Sequence, residues 1–324
     1  MDPMNAKPRL LITRKLPEAV ETRATRDYDA VPNPDDVQIG ADDLVGRCEG
    51  MDAVMCCSSE KFDASTIARL PESLKMVATY SVGYDHIDLD AARARGLVVS
   101  NTPGVLTDAT ADVTMLCILG AARQAHEAAS VLRAGRWARW EATAMLGVDL
   151  RGKRLGILGM GRIGQTVARR AKAFDMEIHY HNRSRLPADR ELGAAYHESP
   201  EAMLPEIDIL SLNCPLSPET HHFLDDRRIG LLKDGAIVVN TSRGPHVDDT
   251  ALIAALRSGK VRAAGLDVFE GEPQIDPAYL DLPNAFLLPH IGSATVETRN
   301  AMGFKCLDNL DAWFSGKEPP DRLA

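Results

Sequence analysis

The chain has 324 residues, of which 45% are hydrophobic and 26% are charged, so its length and composition fit a folded protein of two domains and exclude a disordered chain. Acidic residues outnumber basic ones by 46 to 37, and this net charge of −9 argues against nucleic acid or an anionic membrane as a partner. The apolar segment at residues 113–122 is far shorter than the roughly 18 residues that a membrane-spanning helix needs.

The cysteine content indicates the cellular compartment. The six cysteines form no C-x-x-C pattern, which is typical of a reducing environment and offers no zinc cage. The N-terminal residues show no long apolar run with a cleavage pattern, so no export signal is predicted. We therefore expect a cytoplasmic protein.

From residue 7 onward the chain alternates short β-like runs with amphipathic helical runs, the pattern that builds parallel α/β sheets. Strands are predicted at residues 9–13, 53–57, 75–79 and 97–100, with helices among them at 41–48, 64–69 and 89–95. A long helical pattern then runs from about Thr107 towards Arg133 and indicates a connection into a second domain.

The second domain contains six further strand-like runs, whose near-continuous apolar character predicts a parallel sheet buried on both faces. They lie at residues 154–158, 177–181, 207–212, 236–240, 263–268 and 285–288, and helical segments such as 163–174 and 250–258 separate most of them. A last helix, at about 295–314, is too long to belong to a single strand.

The motif G-M-G-R-I-G stands between the first of these strands and the helix that follows it. Gly159 permits a tight turn, Gly161 lets the backbone approach a pyrophosphate, and Gly164 lets the helix pack on the strand. Arg162 and Ile163, within the motif, are further candidates for cofactor contacts, because the N terminus of the following helix faces the anion. Such a motif alone also occurs in glycine-rich turns, but the order of strand, turn, helix and second strand predicts dinucleotide binding.

The residues after the second strand of this domain indicate which dinucleotide is bound. An NAD-specific site carries Asp or Glu there to accept from the ribose 2′-hydroxyl, whereas this chain has Asn182, Arg183, Ser184 and Arg185. An amide, a hydroxyl and two guanidinium groups suit a 2′-phosphate. We therefore expect NADP(H) to be preferred, with NAD(H) as the second option; a solvated basic turn is the alternative explanation.

Three further motifs follow in order: N-T-S-R-G from Asn240, G-L-D-V-F-E-G-E-P from Gly265 and P-H-I-G-S-A-T from Pro289. Upstream, S-V-G-Y-D-H-I-D begins at Ser81. Together with the glycine motif they make the chain resemble the D-2-hydroxyacid dehydrogenases, and the upstream motif is similar to the substrate loop of the glyoxylate and hydroxypyruvate reductase branch. The resemblance covers nearly the whole chain.

The resemblance implies an α/β fold of two Rossmann-like, doubly wound parallel-sheet domains with the active site in the cleft between them. Residues 1–102 and 291–324 would form a flavodoxin-like, substrate-binding domain, and residues 103–290 would form an inserted dinucleotide-binding Rossmann domain. The predicted elements divide at the same places. Closure of such a cleft would exclude water from a hydride transfer.

The same resemblance implies three catalytic residues. Arg243 would hold the carboxylate and carbonyl oxygen of a 2-oxoacid through its fork of donors. His290 would donate a proton to the developing alkoxide, because imidazole exchanges protons near neutral pH. Glu272 would accept from the other imidazole nitrogen and fix its tautomer. Glu270 lies two residues earlier, but the family pattern selects the glutamate before proline.

Two further features are expected to contact the substrate. The backbone N–H groups of Val82 and Gly83 would bind its carboxylate, with a purely structural turn as the alternative. Trp137 and Trp140 resemble the tryptophan pair that the reductase branch contributes across a dimer interface to the neighbouring substrate pocket. Two packing tryptophans are the alternative there. The resemblance thus implies a homodimer.

Residues at the ends of strands are additional candidates for cofactor contacts. They are Cys214 and Pro215 after the third strand, Thr241 and Asp267 at the ends of the next two, and His290 and Gly292 after the last. The first two would lie near the adenine or its ribose and the others near the nicotinamide, where Asp267 would accept from the carboxamide. The adjacent His221 and His222 suggest a metal, but no metal site is predicted, because adjacent side chains are expected to diverge and no other ligands cluster with them.

These inferences predict an NADPH-preferring reductase of glyoxylate, hydroxypyruvate or a similar small 2-oxoacid. Hydroxyphenylpyruvate remains an alternative substrate, and a dinucleotide-sensing protein of the corepressor type remains an alternative with the same fold. A phosphoglycerate dehydrogenase is disfavoured because no C-terminal regulatory domain is evident. A formate dehydrogenase is disfavoured because its pattern has glutamine where this chain has Glu272.

Overall fold

The computed structural model describes residues 7–324, which form two compact units. The first unit comprises the residues up to Leu106 together with Ser293–Ala324, and the second comprises Thr107–Gly292. The chain therefore leaves the first unit once and returns to it once. The observed boundaries lie a few residues after the predicted ones.

Within the described residues, the first unit contains a five-stranded parallel sheet of order β2-β1-β3-β4-β5, the flavodoxin-like order. Its elements before Leu106 are β1 (Arg9–Ile12), α1 (Glu18–Asp27), β2 (Asp29–Val31), α2 (Ala41–Arg47), β3 (Ala53–Cys56), α3 (Ala64–Arg69), β4 (Met76–Thr79), α4 (Leu89–Arg95) and β5 (Val98–Ser100). Successive side chains alternate between faces, so that Leu10 and Ile12 lie in one hydrophobic cluster and Leu11 in another. Both faces of this sheet are therefore covered.

The second unit contains a seven-stranded parallel sheet among its described residues. Its elements are α5 (Thr107–Ala122), α6 (Ala125–Arg133), β6 (Arg154–Leu158), α7 (Arg162–Lys172), β7 (Glu177–His181), β8 (Ala195–Tyr196), α8 (Pro200–Met203), β9 (Ile209–Leu212), α9 (Asp226–Leu231), β10 (Ala236–Asn240), α10 (Asp249–Ser258), β11 (Val261–Leu266) and β12 (Ala285–Leu287). Separate hydrophobic clusters hold Leu210 and Ile209, neighbouring residues of β9, so this sheet is also buried on both faces.

The strand order of the second sheet positions the candidate site. The order is β12-β11-β10-β9-β6-β7-β8, so the chain proceeds outward from β6 in both directions. The carboxyl ends of β6 and β9 are therefore the switch point at which doubly wound sheets bind ligands. The glycine motif follows β6 directly, at this point.

The last helix, α11 (Val296–Phe314), belongs to the first unit. Thr295 caps it, since its side chain accepts a backbone hydrogen bond from the first turn. Met302 and Cys306 lie in the same buried cluster as residues of β1, so α11 covers one face of that sheet. Neither α11 nor any other helix in residues 7–324 is long and apolar enough to cross a lipid bilayer.

The prediction of two doubly wound parallel sheets is confirmed. The continuous helix predicted from Thr107 towards Arg133 is wrong, because Gln124 adopts a left-handed φ of 51° and separates α5 from α6. Apolar residues keep a helical spacing across this break, and neither glycine nor proline marks it.

Two short strands, β2 and β8, are missing from the predicted elements. Each lies at an edge of its sheet, and β8 has only two residues. An edge strand of this kind pairs on one side and buries little, so it leaves no apolar run in the sequence.

Candidate functional site

The glycine motif forms the turn between β6 and α7. Gly159 has a φ of 91°, and a Cβ there would lie 2.6 Å from the backbone nitrogen of Cys214. A Cβ at Gly164 would lie 2.5 Å from the carbonyl oxygen of Gly159, so the helix packs directly on the turn. A Cβ at Gly161 would meet nothing within 4 Å, so open space adjoins the N terminus of α7. A diphosphate fits this arrangement, because helix N termini bind anions through unpaired N–H groups.

The helix α7 begins with Arg162 and Ile163, one residue before the start of the predicted segment 163–174. Asn182, just after β7, stabilises the turn before them, because its Oδ1 accepts from the N–H of Met160 at 2.7 Å. The position where NAD-specific sites carry a carboxylate is therefore occupied by an amide that supports the glycine turn. Contact of Asn182 with a ribose stays a prediction.

The two arginines after β7 lie in different environments. Arg185 donates from Nε and Nη2 to the two carboxylate oxygens of Glu191, at 2.7 and 3.1 Å. The hydroxyl of Tyr180 donates to the same carboxylate at 2.7 Å, and the hydrogen bonds from Arg185 and Tyr180 lower the pKa of Glu191. All three residues 183–185 are exposed, but the guanidinium of Arg185 is bonded to Glu191.

Arg243 follows β10 at the carboxyl edge of the sheet. The side chain of Asn240 donates to the carbonyl oxygen of Arg243 at 2.8 Å and fixes the loop. A Cβ on the next residue, Gly244, would lie 1.9 Å from the carbonyl carbon of Phe269. Direct contact between backbones therefore holds the Arg243 loop against the loop that leads to Glu272.

Glu272 and His290 form a close pair. Nδ1 of His290 lies 2.6 Å from Oε1 of Glu272, and Nδ1 donates, because a carboxylate only accepts. The other carboxylate oxygen accepts from the N–H of Phe269 at 3.3 Å, so the carboxylate is held from two sides. Glu272 and not Glu270 is the glutamate that contacts His290. This pairing leaves Nε2 of His290 as the nitrogen able to exchange a proton with a substrate.

Asp267 anchors the segment that follows His290. Its two carboxylate oxygens accept from the backbone N–H groups of Ile291 at 2.7 Å and Gly292 at 2.8 Å. The side chain is fully buried, and desolvation raises its pKa. Asp267 thus positions the His290 loop through these backbone bonds. The carboxamide of a nicotinamide would have to share the same carboxylate oxygens. The cofactor contacts of Asp267 and Gly292 stay predictions.

Threonines of α5 contribute to this region, and the sequence analysis does not identify them. Thr114 donates to the carbonyl oxygen of Thr110 at 2.8 Å, and its hydroxyl lies 2.7 Å from that of Thr241. Thr110 also donates to the carbonyl oxygen of Gly292 at 3.2 Å. The four-residue spacing of Thr110 and Thr114 places them on one helix face and was the available signal.

Cys214 and Pro215 follow β9 beside the glycine turn. The carbonyl oxygen of Cys214 accepts from the hydroxyl of Ser242 at 2.5 Å, and its thiol lies 3.6 Å from Nε2 of His246. Burial raises the pKa of this thiol to about 12, so it stays protonated near neutral pH. Contact of either residue with an adenine or its ribose stays a prediction.

Val82 and Gly83 lie in the first unit, in the loop after β4. The side chain of Asn101 donates to the carbonyl oxygen of Val82 at 2.8 Å, and that of Ser81 donates to the carbonyl oxygen of Gly83 at 2.5 Å. In a trans peptide the N–H points opposite to the carbonyl. The N–H groups of Gly83 and Tyr84 therefore point away from these internal donors. Binding of a carboxylate by the N–H groups of Val82 and Gly83 stays a prediction.

Trp137 and Trp140 lie in the loop after α6 and are 61% and 78% exposed. They are therefore not packing residues within this chain. Leu132, in the last turn of α6, and Leu146, in the loop, are 62% and 57% exposed. The segment thus presents apolar surface, and its contact with a second chain stays a prediction.

His221 and His222 neither diverge nor stand apart from other ligands, so both reasons for excluding a metal at them are wrong. The two rings stack with centroids 4.2 Å apart instead of diverging, because His222 adopts a left-handed φ of 45°. A third group also approaches, since the carboxylate of Glu270 lies 3.0 Å from His222 and 4.0 Å from His221.

Comparison with known proteins relates the second unit to one family. The model of the D-isomer specific 2-hydroxyacid dehydrogenase family, NAD binding domain, matches residues 115–292. A glycerate dehydrogenase from Hyphomicrobium methylovorum is 43% identical over 321 residues, which are 98% of this chain and 100% of that protein. A glyoxylate reductase from Thermococcus litoralis is 42% identical over 97% of this chain and 96% of its own length.

A solved structure is similar in both fold and sequence. It is an NADPH-dependent glyoxylate/hydroxypyruvate reductase from Sinorhizobium meliloti in complex with NADP and malonate. Its TM-score is 0.89 at 36% identity, and the match covers 98% of this chain and 97% of that one.

Proposed function

Because this chain belongs to the D-2-hydroxyacid dehydrogenase family, in its glyoxylate reductase branch, we propose that it reduces glyoxylate, hydroxypyruvate or a similar small 2-oxoacid to the D-2-hydroxyacid, with NADPH preferred over NADH. The chain is an oxidoreductase that uses a nicotinamide dinucleotide. The observation that carries the proposal is the 2.6 Å contact between His290 and Glu272, in the unit that also holds the glycine turn.

The residues of this chain supply the groups that the reduction needs besides the hydride, which the bound nicotinamide would deliver to the carbonyl carbon. Arg243 binds the carboxylate and carbonyl oxygen of the substrate, and its charge stabilises the developing alkoxide. His290 donates a proton from Nε2 to that oxygen, while Glu272 holds the Nδ1–H and keeps the ring in the required tautomer. Asp267 keeps the backbone beside His290 in place.

The preference for NADPH is supported by the end of β7. The side chain there is Asn182, and the exposed guanidinium of Arg183 follows it. A 2′-phosphate gains a charge-assisted hydrogen bond from such a guanidinium and meets no repelling carboxylate at this position. The similar reductase from Sinorhizobium meliloti was crystallised with NADP.

The remaining assignments complete the proposal. The second unit binds the dinucleotide, and the first unit contributes Val82 and Gly83 to the substrate carboxylate. The exposed Trp137 and Trp140 support a homodimer in which each chain contributes this tryptophan pair to its partner's substrate pocket. All six cysteines are free thiols, which supports a cytoplasmic location.

The test is a substrate panel with purified protein. Glyoxylate, hydroxypyruvate and hydroxyphenylpyruvate are each combined with NADPH or NADH, the loss of nicotinamide absorbance is followed, and the product is resolved into D and L forms. We expect D product, with a higher kcat/KM for a small oxoacid and for NADPH. NADPH binding without turnover of any oxoacid would instead indicate a dinucleotide-sensing protein.

A matched pair of variants ties the activity to the site. His290→Ala should abolish turnover and leave NADPH binding nearly unchanged. His126→Ala, on α6, should have no effect on either measurement. Undiminished turnover in the His290 variant would refute the assignment.

A further inference from the structure

His221, His222 and Glu270 converge outside the group formed by Arg243, Glu272 and His290. Nε2 of His222 lies 3.0 Å from Oε2 of Glu270, and Nε2 of His221 lies 4.0 Å from Oε1. One ligand atom from each of the three residues lies within 4.8 Å of the other two. The mechanism above uses none of these groups.

The local backbone explains why the two imidazoles share one side of the loop. The hydroxyl of Thr220 accepts from the N–H of Ser217 at 2.8 Å, and the N–H of His221 donates to the carbonyl oxygen of Ser217 at 2.9 Å. The N–H of His222 donates to the carbonyl oxygen of Pro245 at 2.7 Å, in the segment after Gly244. These bonds and the left-handed φ at His222 hold both rings on the side of Glu270.

We propose that His221, His222 and Glu270 form a binding site for a divalent transition metal ion of the zinc class. Two imidazole nitrogens and one carboxylate oxygen are a ligand set typical of such ions, and water would complete a tetrahedral shell. Ligand atoms at about 2.1 Å from a common ion stand roughly 3.4 Å apart. The observed separations require only a small rearrangement, which the 52% exposed side chain of His221 can provide.

Binding would join two loops of the second unit. One loop carries the histidines, and the other continues from Glu270 through Gly271 to Glu272. The ion replaces the hydrogen bond between His222 and Glu270 with stronger bonds, and both imidazoles bind it through a deprotonated Nε2. Occupancy should therefore raise the melting temperature of the protein, independently of any oxoacid reduction.

The test is a metal titration of the untagged full-length protein after treatment with a chelator. Isothermal titration with Zn²⁺ should show one site per chain, Zn²⁺ should raise Tm, and Co²⁺ should give the visible absorption of a tetrahedral complex. Neither dinucleotide nor oxoacid is present, so failure of the proposed reductase activity would not affect the result. Absence of stoichiometric binding would overturn the proposal.

Two substitutions of proposed ligands and one control test whether the ion binds at these residues. Glu270→Gln keeps the shape of the side chain but removes its charge, and His221→Ala removes a ring that is 52% exposed. Each substitution should weaken Zn²⁺ binding by at least about tenfold. His197→Ala is the matched control, because it disrupts a second pair of imidazoles and should leave the affinity unchanged. The proposal is overturned if both ligand variants bind as tightly as the parent, or if the control alone loses binding. Should Glu270→Gln fail to fold, His221→Ala decides alone.

Discussion

Gly244 determines how closely the Arg243 loop approaches the segment that leads to Glu272. A side chain at this position would overlap the backbone of Phe269, so the two loops can touch only because residue 244 has none. A side chain fixes the neighbouring segment. Asp267 accepts hydrogen bonds from two backbone N–H groups just after His290. Backbone contacts between loops and the hydrogen bonds of side chains such as Asp267 therefore position the site together.

At this scale the first prediction concerns Glu272→Gln. The amide can present an N–H to Nδ1 of His290 and stabilise the wrong tautomer, so we expect kcat to fall by about 10²-fold. NADPH binding, followed by fluorescence titration, should stay within about twofold, since the hydrogen bonds of Glu272 go to His290 and to a backbone N–H. A parent-like kcat would show that the pair does not orient the proton donor.

A second prediction separates the two arginines after β7. Arg183→Ala should lower the NADPH preference, measured as the ratio of kcat/KM for the two cofactors, by about tenfold through loss of a charge-assisted hydrogen bond. Arg185→Ala should leave that ratio nearly unchanged and lower Tm, because Arg185 is bonded to Glu191. The opposite pattern would mean that Arg185 leaves Glu191 to bind the phosphate.

The sequence identifies Glu272 and His290 as site residues, but it does not show every contact that residues near the site make. Glu272 and His290 stand in motifs whose order specifies them, whereas the choice of Arg185 for Glu191 depends on where an exposed loop folds back. The stacking of His221 on His222 likewise depends on one left-handed residue. Such conformations leave no periodic pattern in the sequence.

At the scale of elements, apolar runs predicted the strands that are buried on both faces. β6 and β10 are such strands, and their bounds are the predicted ones. β7 also has the predicted bounds, although only Ile178 and Tyr180 of its residues are buried. Prediction failed where an element buries little, as in β2 and β8, or where one residue breaks a continuing pattern, as at Gln124. Sequence patterns reflect burial and turn-forming residues. The strands β2 and β8 bury little, and Gln124 is neither glycine nor proline, so these places leave only a weak pattern.

The turn between β6 and α7 permits a third prediction, from two matched substitutions. Gly164→Ala places a Cβ 2.5 Å from a carbonyl oxygen and should destabilise the protein by about 1–3 kcal/mol. Gly161→Ala meets nothing within 4 Å, so the unliganded protein should keep its urea midpoint. Its dinucleotide affinity should nevertheless fall, because the methyl group enters the space assigned to the diphosphate. Unchanged affinity would place the diphosphate elsewhere.

The edge strand β8 gives a fourth prediction, on pH. Nε2 of His197, just after β8, lies 2.9 Å from Nδ1 of His179 on β7. Burial lowers the pKa of both imidazoles from 6.5, and the charge of His197 lowers that of His179 further. The unfolded chain therefore binds more protons below pH 6.5, so this contribution is complete above 6.5 and stability falls as the pH drops towards the folded-state pKa values.

Urea unfolding at several pH values from about 8 to about 5.5 measures this effect. His197→Gln should lose less stability on acidification than the parent. His126→Gln, a substitution on α6, should retain the parental dependence. Equal slopes for the parent and the His197 variant would show that the pair does not contribute.

At the scale of the whole molecule, most of the candidate site residues lie in one of the two units. The pair of His290 and Glu272, the Arg243 loop and the glycine turn all belong to the unit formed by Thr107–Gly292. The loop of Val82 and Gly83 belongs to the other unit. The residues that we propose for proton transfer and cofactor binding thus lie in the inserted unit, and the proposed substrate loop lies in the discontinuous unit.

The exposed loop after α6 leads to the last prediction, which concerns assembly. Large apolar side chains that remain this exposed in a single chain are characteristic of an interface, so sedimentation equilibrium should show a dimer. Trp140→Ala should raise the dimer dissociation constant about tenfold or more, since tryptophan is a frequent hot spot. Leu280→Ala, a control on another exposed apolar residue, should leave it unchanged. A monomeric parent protein would refute the dimer, and the tryptophans would then need another partner.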